Sequence, residues 1–371
     1  MKIVLGKDSL FEGLQCVFNI IPQKPTLPVL SNFLLRASEG KLFISGTDMD
    51  ISITTSIECT VEVKGDITVN AKRFLGVIRE LPSGDITIEV KNECVTISFK
   101  NGRSSIMGMP AADFPALKES IEGTELSLSG KDFIEMVEKT GFSVSQDRTR
   151  LALTGIFWRV STDDMVMVST DGHRLSFFRK KLDSNIMKSS EVIIPPKALH
   201  QASQIISSGV DRARVVLGEN AILFDFVTTI IFSKLIEGPY PNFRQVIPLN
   251  NSKIVFVSTE ELSASLRRVS VLSNSITHQI RIDVSPGRME LSTRNEDIGG
   301  ESQETIDIRY DGEPIIAGYN AAFLLEILRN IETEEVVLEL EAPTTACIVK
   351  PVGQKETDEF IYLIMPLRIS D

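Results

Sequence analysis

The most distinctive polar run in the sequence is Thr170-Asp171-Gly172-His173-Arg174-Leu175. An aspartate two residues before a histidine could orient the imidazole as a general base for nucleophilic catalysis. The intervening glycine instead indicates a β-turn between two strands, and no serine or cysteine lies in a Gly-x-Ser-x-Gly setting. We therefore expect a turn here, and a hydrolase built around Asp171 and His173 is the less favoured alternative.

Signatures of metal and cofactor sites are weak elsewhere in the sequence. Neither the histidines nor the cysteines have the spacing of metal ligands. Gly299-Gly300 is not followed by Lys-Ser or Lys-Thr, and no Gly-x-Gly-x-x-Gly run occurs. We expect no metal and no cofactor, and neither an NTPase nor a dinucleotide enzyme is favoured. The histidines are His173, His200 and His278, and the cysteines are Cys16, Cys59, Cys94 and Cys347.

Length and charge narrow the class of protein. The 371 residues predict two or three domains, and the formal net charge of -11 argues against a protein that wraps nucleic acid with many phosphate contacts. No apolar run approaches the roughly 18 to 20 residues of a membrane span. The charges at Lys2, Lys7 and Asp8 are not typical of a secretory signal, and the scattered cysteines are typical of reduced thiols. A cytoplasmic protein is predicted.

Three landmarks recur along the chain with a period of about 124 residues. Each landmark is one kind of residue that recurs in similar sequence surroundings. They are prolines 115, 241 and 366, threonines 47, 170 and 293, and the apolar helix anchors Phe74, Leu199 and Phe323. The period predicts three repeated domains, at residues 1–122, 123–249 and 250–371.

Each repeat is expected to place two helices on antiparallel strands, which makes the fold α+β. Alternating runs such as 41–45 and 85–90 predict the strands. Polar residues before helix-period stretches predict the helix starts. The six helix windows are 8–20, 71–80, 131–140, 197–206, 260–274 and 320–330.

The six helix windows together carry no net charge, so the acidic excess lies in strands and loops. Two interpretations remain equally open at this point: ordinary solvated helix faces, or one shared surface turned toward a polyanion. The basic residues in the windows include Lys72, Arg73, Arg79, Lys197, Arg267, Arg268 and Arg329.

The C-terminal run Glu359-Phe360-Ile361-Tyr362-Leu363-Ile364-Met365-Pro366-Leu367-Arg368-Ile369 predicts a strand that ends close to residue 369. The strand could simply complete the last sheet, which is the favoured interpretation. Met365, Pro366 and Leu367 could also form an adaptable apolar lip that holds peptides.

The sequence resembles the bacterial DNA polymerase III beta subunits, the sliding clamps, through motifs in family order across all three repeats. The matching segments are Lys24-Pro25-Thr26-Leu27-Pro28-Val29-Leu30, Gly46-Thr47-Asp48, Ala111-Ala112-Asp113-Phe114-Pro115, Thr170-Asp171-Gly172-His173-Arg174-Leu175, Tyr240-Pro241-Asn242-Phe243-Arg244 and Met365-Pro366-Leu367-Arg368. The resemblance implies a non-catalytic processivity factor, a head-to-tail homodimeric ring around double-stranded DNA of any sequence. Helices would line the hole, and sheets would form the outer wall.

The resemblance also implies a pocket for Gln-Leu-x-Leu-Phe motifs of the replicative polymerase alpha subunit, clamp-loader subunits, and other polymerases and repair proteins. Gln245 stands where the family commonly has Arg, and Phe323 where it commonly has Tyr. The implied pocket residues are Leu153, Thr170, Gly172, His173, Arg174, Leu175, Pro241, Gln245, Val246, Asn320, Phe323, Thr344, Leu363, Met365, Pro366, Leu367 and Arg368.

Two further sets of residues are implied by the resemblance. The expected DNA-binding residues are Lys24, Lys72, Arg73, Arg79, Arg150 and Lys197. At the dimer interface, Arg103, Ile106 and Met107 of one chain are expected to meet Val271, Leu272, Glu301 and Glu304 of the other.

Overall fold

The computed structural model describes residues 1–181, 189–207, 209–355 and 357–369. Helices and antiparallel strands alternate along the chain, which confirms the α+β class. The chain divides into two compact units. The first unit contains residues 1–134 and 197–235, and the second contains residues 135–196 and 236–371.

The α-helices of the described residues match the six predicted windows. Asn70, Ser258 and Asn320 cap three of them, because each side chain accepts a hydrogen bond from a backbone N–H in the first turn. The window 260–274 is too long, since α5 ends at Ser270. The helices are α1 (Lys7–Phe18), α2 (Ala71–Glu80), α3 (Gly130–Thr140), α4 (Pro196–Ser207), α5 (Thr259–Ser270) and α6 (Ala321–Arg329).

One antiparallel sheet extends through the first unit. Its N-terminal part contains β1 (Lys2–Gly6), β2 (Asn32–Ser38), β3 (Lys41–Thr47), β4 (Ile51–Glu58), β5 (Thr60–Val63), β6 (Gly65–Asn70), β7 (Asp85–Lys91), β8 (Cys94–Phe99) and β9 (Gly102–Met109). It continues into β10 (Thr124–Ser129), β15 (Arg212–Leu217), β16 (Ala221–Asp225) and β17 (Thr229–Lys234). The junction is β4 with β17, where the hydroxyls of Thr55 and Thr229 lie 2.8 Å apart.

The second unit contains two antiparallel sheets. The larger joins β11 (Ile156–Val160), β12 (Asp164–Thr170), β13 (Arg174–Lys181) and β14 (Ser190–Ile194) to β18 (Lys253–Ser258), β23 (Glu335–Leu340), β24 (Cys347–Pro351) and β25 (Asp358–Ile364). The smaller contains β19 (Gln279–Ser285), β20 (Arg288–Asn295), β21 (Gly300–Asp307) and β22 (Ile315–Asn320). The β13–β25 pair joins strands of the central and C-terminal repeats. The central repeat therefore contributes strands to both units.

Apolar faces of the helices lie against the sheets. In α2, Phe74 and Ile78 are fully buried, and burial of one such side chain contributes roughly 1.5 to 3 kcal/mol. The prediction of Phe323 as the corresponding anchor of α6 is wrong. Leu324 is the buried residue, because it lies four positions after the N-cap Asn320, as Phe74 does after Asn70.

Across the described ranges, no helix is long and apolar enough to cross a membrane.

Candidate functional site

A tight turn connects β12 to β13, as the sequence predicts. Gly172 has a φ of +92°, a conformation that side-chain-bearing residues rarely adopt. The Asp171 Oδ1 atom accepts hydrogen bonds from the backbone N–H groups of His173 at 2.8 Å and Arg174 at 2.9 Å. The aspartate therefore holds the turn closed.

The same geometry does not form a catalytic dyad. The second carboxylate oxygen of Asp171 accepts from Nε of Arg174 at 3.1 Å, so the side chain that binds this carboxylate is an arginine rather than an imidazole. His173 is exposed. A base that is not oriented by its carboxylate lacks the arrangement that the hydrolase alternative requires.

Arg174 is buried beside the turn, with 7% of its surface exposed. The guanidinium carbon lies 4.4 Å from the ring centre of Phe323 and 5.5 Å from that of Phe142. Nη1 donates to Glu326, and Nη2 donates to the Phe142 carbonyl oxygen at 2.9 Å. The buried charge is thus paired with acids and stacked on aromatic rings, as buried charges need to be.

The C-terminal segment lies against this turn. After β25 ends, the Met365 N–H donates to the His173 carbonyl oxygen at 2.8 Å, and the Leu367 N–H donates to the Gly318 carbonyl oxygen at 2.8 Å. A Cβ atom on Gly318 would lie 2.9 Å from the Leu367 carbonyl oxygen, so glycine permits this close approach. Met365 remains 39% exposed beside the turn.

An apolar cluster lies on the other face of the β13 strand. Leu175 points away from Arg174, because neighbouring strand residues face opposite sides, and it packs in a cluster with Leu363 and Phe157. The Tyr240 and Phe243 rings lie 5.2 Å and 5.8 Å from that of Phe157. Burial raises the pKa of Tyr240, so the phenol stays neutral. These aromatic side chains form an apolar floor.

The structure brings the core of the predicted pocket together. The turn residues, the C-terminal segment and the start of α6 meet through hydrogen bonds and the Arg174 contacts. The remaining predicted residues lie on flanking segments: Pro241 between Tyr240 and Phe243, Thr344 two residues before the buried Ala346, and Leu153 buried beside Ala152 of the apolar cluster. Gln245, Val246 and Arg368 are exposed, Pro366 and Leu367 are half-buried, and Asn320 caps α6.

Sequence reasoning missed several residues of this region. Tyr240 and Phe243 were visible as aromatics around a repeated proline, but only Pro241 was assigned to the pocket. Phe142 and Glu326 had no sequence signal, since they reach Arg174 from positions 32 and 152 residues away.

Arg150, which was expected to bind DNA, lies against the turn. A Cβ atom on Gly172 would be 2.9 Å from Nη1 of Arg150. Nε of Arg150 donates to Asp147 at 3.2 Å. Its contact with DNA stays a prediction, and its position makes it a neighbour of the turn between β12 and β13.

The other predicted DNA-binding residues lie on the first unit, and all are exposed. Three belong to α2, and Lys24 belongs to the segment before residue 28. Lys197, at the start of α4, donates to Asp48 at 2.7 Å. The residues on α2 are Lys72, Arg73 and Arg79.

The N-terminal set of predicted interface residues lies along β9. Within the described part of the chain, Gly108 and Met109 are the β9 residues that pair with β6, so residues 102–107 have one unpaired strand edge there. Arg103 and Met107 are exposed, and Ile106 is half-buried. A cleft of about 940 Å³ lies between this strand and α2, lined by Ile106, Lys72 and Arg73 among others.

The C-terminal set lies beside β21, one of the two edge strands of the smaller sheet. Val271 is 75% exposed, and Ile298, which sequence reasoning missed, is 63% exposed. Val271 directly precedes Leu272 in the chain. Ile298 lies near Leu272 in space, since a Cβ atom on Gly300 would approach both side chains. The surface beside β21 thus carries exposed apolar side chains.

The two predicted acids of β21 differ. Glu301 is exposed, with no ion pair among the described residues. Glu304 accepts hydrogen bonds from Ser265 at 2.6 Å and from Nε of Arg268 at 3.0 Å, and the Arg268 guanidinium holds the pKa of this carboxyl below its ordinary value. Glu301 is therefore the acid with more freedom to meet another chain.

Comparisons with known proteins cover the whole length. Family models of the DNA polymerase III beta subunit match residues 1–118 (N-terminal domain), 127–242 (central domain) and 244–368 (C-terminal domain). The chain is 28% identical over 379 residues to the beta sliding clamp of Caulobacter vibrioides and 26% identical over 371 residues to that of Vibrio cholerae, with 100% of each chain covered.

Solved structures agree with this assignment. The crystal structure of a sliding clamp from Bartonella birtlesii bound to griselimycin matches with a TM-score of 0.94 at 28% identity, over 100% of both chains. A DNA polymerase sliding clamp from Pseudomonas aeruginosa with ligand matches with a TM-score of 0.93 at 26% identity, again over 100% of both chains. The chain belongs to the DNA polymerase III beta subunit family, the sliding clamps.

Proposed function

We propose that this chain forms a head-to-tail homodimeric ring that encircles duplex DNA and holds the replicative polymerase on it. The observation that carries the ring is that β9, over residues 102–107, and β21 each have an unpaired strand edge within the described residues, and that the two edges carry unlike side chains. Exposed strand edges readily pair with another chain. Because the two edges differ, β9 of one chain would meet β21 of the other, and two such contacts close a dimer.

The chemistry of the two edges is complementary. The β9 side carries the exposed Arg103 beside Ile106 and Met107. The β21 side carries the apolar residues near Ile298 and the free carboxylate of Glu301. An apolar centre with opposite charges around it is the usual anatomy of a stable interface.

A ring explains how an acidic protein can work on DNA. Topology prevents escape, so the protein needs few phosphate contacts, and strong contacts would slow sliding. The exposed cations of α2 would face the duplex without binding a particular sequence. The protein acts by raising the local concentration of its partners at DNA, without catalysis of its own.

Partners would bind at the region around Arg174 and the C-terminal segment. An apolar floor with a small number of polar groups at its margin suits a short peptide with Leu and Phe anchors. The proposed ligands are Gln-Leu-x-Leu-Phe motifs of the polymerase alpha subunit, the clamp-loader subunits, other polymerases and repair proteins. The site of action is the cytoplasm.

The assembly can be tested on the purified protein. Light scattering coupled to size exclusion should give the mass of two chains, and negative-stain electron microscopy should show a particle with a central hole. A monomer at micromolar concentration, or a dimer with no hole, would contradict the proposed ring.

A further inference from the structure

Arg174 belongs to the proposed binding pocket, yet each of its three guanidinium nitrogens already donates a hydrogen bond within the protein. Nε, Nη1 and Nη2 donate to Asp171, Glu326 and the Phe142 carbonyl oxygen respectively. Phe142 and Phe323 lie over its guanidinium. A side chain held in this way supports the wall that the turn adds to the proposed pocket, on the face of β13 opposite the apolar cluster, and it offers little to an incoming carboxylate.

The two acids that neutralise Arg174 are not equivalent. Asp171 also closes the turn with two backbone hydrogen bonds, and its side chain is 14% exposed. The Glu326 side chain is 41% exposed, and within the described residues its carboxylate pairs with Arg174 alone. The Glu326 carboxylate therefore acts on Arg174: it holds the guanidinium in place and adds a second negative charge beside it.

We infer that Glu326 is a positioning residue that makes this pocket select uncharged peptide side chains over acidic ones. The inference rests on the proposed peptide-binding function. With Glu326 present, the single positive charge of Arg174 meets two carboxylates, so the cluster is net negative and disfavours an acidic ligand, and the guanidinium orientation is fixed. Without it, one guanidinium edge is free beside the turn, and a ligand carboxylate could take the vacated place.

The position of Glu326 on α6 supports this role. The same helix begins at the Asn320 cap and presents Phe323 to Arg174. One helix thus supplies the stacking ring and the counter-ion for the same guanidinium. A change at Glu326 would alter the charge of the pocket wall while the ring stays in place.

The chain offers a matched control near the other end of α6. The buried Lys139 donates to Glu332 at 2.9 Å and to the Asn330 carbonyl oxygen at 2.6 Å. Glu332→Gln removes an ion pair between α3 and the end of α6, but it leaves Arg174 untouched. It reports what a general loosening of this helix does to peptide binding.

The experiment measures fluorescence anisotropy of a labelled Gln-Leu-Ser-Leu-Phe peptide and of three analogues, each with Glu in place of one apolar residue. In Glu326→Gln, the parent peptide should bind more weakly and one analogue more tightly, so that their affinity ratio changes by about tenfold, or ~1.4 kcal/mol. Glu326→Asp should restore part of the original ratio. Glu332→Gln should leave the ratio unchanged, and thermal melts verify that each variant is folded.

Three results would overturn the inference, and they are distinguishable. If the unmodified protein binds no parent peptide, the proposed pocket itself fails. If it binds and Glu326→Gln keeps the original ratio, the pocket stands and the positioning role is wrong. If Glu332→Gln changes the ratio equally, the effect comes from helix docking rather than from Arg174.

Discussion

The Nζ atom of Lys197 lies 2.7 Å from Oδ2 of Asp48, and it is 3.4 Å from the carbonyl oxygen of Ile20. The lysine at the start of α4 is thus already neutralised by its own chain. The exposed cations of α2 have no such ion pair among the described residues. The cations expected to contact DNA therefore differ in how much positive charge they can offer to a phosphate.

Lys197→Ala should weaken nonspecific DNA binding less than Arg79→Ala. A phosphate contact contributes about 0.9 to the slope of log affinity against log salt. Arg79→Ala should reduce this slope by about 0.9 per lost contact, and Lys197→Ala by much less, because its charge is already paired. Titration of a labelled duplex at several salt concentrations measures both slopes.

Asp48→Asn is the control for this comparison. It frees Lys197, so the slope should become steeper than in the unmodified protein. If Lys197→Ala and Arg79→Ala reduce the slope equally, the ion pair with Asp48 does not limit the contribution of Lys197 to DNA binding.

Ile298→Asp should weaken the dimer. The change places a charge in the exposed apolar patch beside Leu272, where desolvation on assembly would oppose it. We expect the dimer dissociation constant to rise about 30-fold or more, or ~2 kcal/mol, as for a central interface residue. Mass photometry across a dilution series measures it.

Val227→Asp serves as the matched control for Ile298→Asp. Val227 is 94% exposed on the hairpin between β16 and β17 and belongs to neither proposed edge. This variant should keep the original dissociation constant. Equal weakening in both variants would point to a nonspecific effect of added charge.

Local patterns predicted the helices and the turn well, because caps, periodicity and the Asp-Gly pair act over a few residues. They failed where tertiary packing determines which side chains contact each other. Phe323 occupies a helix position one residue before the buried anchor, and its ring instead lies over Arg174, which the periodicity of α6 does not reveal. Glu326 and Phe142 meet Arg174 only after the chain has folded, so spacing along the sequence carries no sign of them.

Removal of residues 365–371 should abolish peptide binding while the protein remains a dimer. Met365 and Leu367 connect the C-terminal segment to the turn and to β22, whereas both proposed dimer edges lie on other strands. A fluorescent-peptide titration with light scattering tests this. Undiminished affinity would mean that the segment is no part of the pocket.

Gly318→Ala is a milder test of the same segment. The added Cβ would meet the Leu367 carbonyl oxygen at 2.9 Å and Ile369 at 3.0 Å, which forces the segment to shift. Peptide affinity should fall by several-fold, with little change in the melting temperature. A melting temperature that falls sharply would assign Gly318 to the core of the sheet instead.

Asp164→Asn should destabilise the protein at neutral pH and much less in acid. Burial of the Asp164 carboxyl opposes ionisation, but hydrogen bonds from Ser161 and Arg179 and the charge of Arg159 outweigh it and lower its pKa. A carboxyl with a lowered folded-state pKa stabilises above its unfolded value, about 3.9, and this contribution is lost as pH falls through the folded value.

Thermal melts across pH measure this effect. At pH 7 the variant should melt a few degrees lower, as expected for a loss of about 1 to 3 kcal/mol, and the difference should shrink below about pH 4. Asp163→Asn, at an exposed neighbouring position, is the control. A pH-independent difference would mean that the charge of Asp164 is not what stabilises the sheet.

Retention on DNA of defined topology tests the ring most directly. The protein is loaded on a nicked circular plasmid by the clamp loader, washed in high salt, and separated from free protein by gel filtration before and after the plasmid is cut once. An encircling ring predicts that the protein stays with the circle and leaves the linear DNA through its ends. Equal retention on both forms would contradict the account.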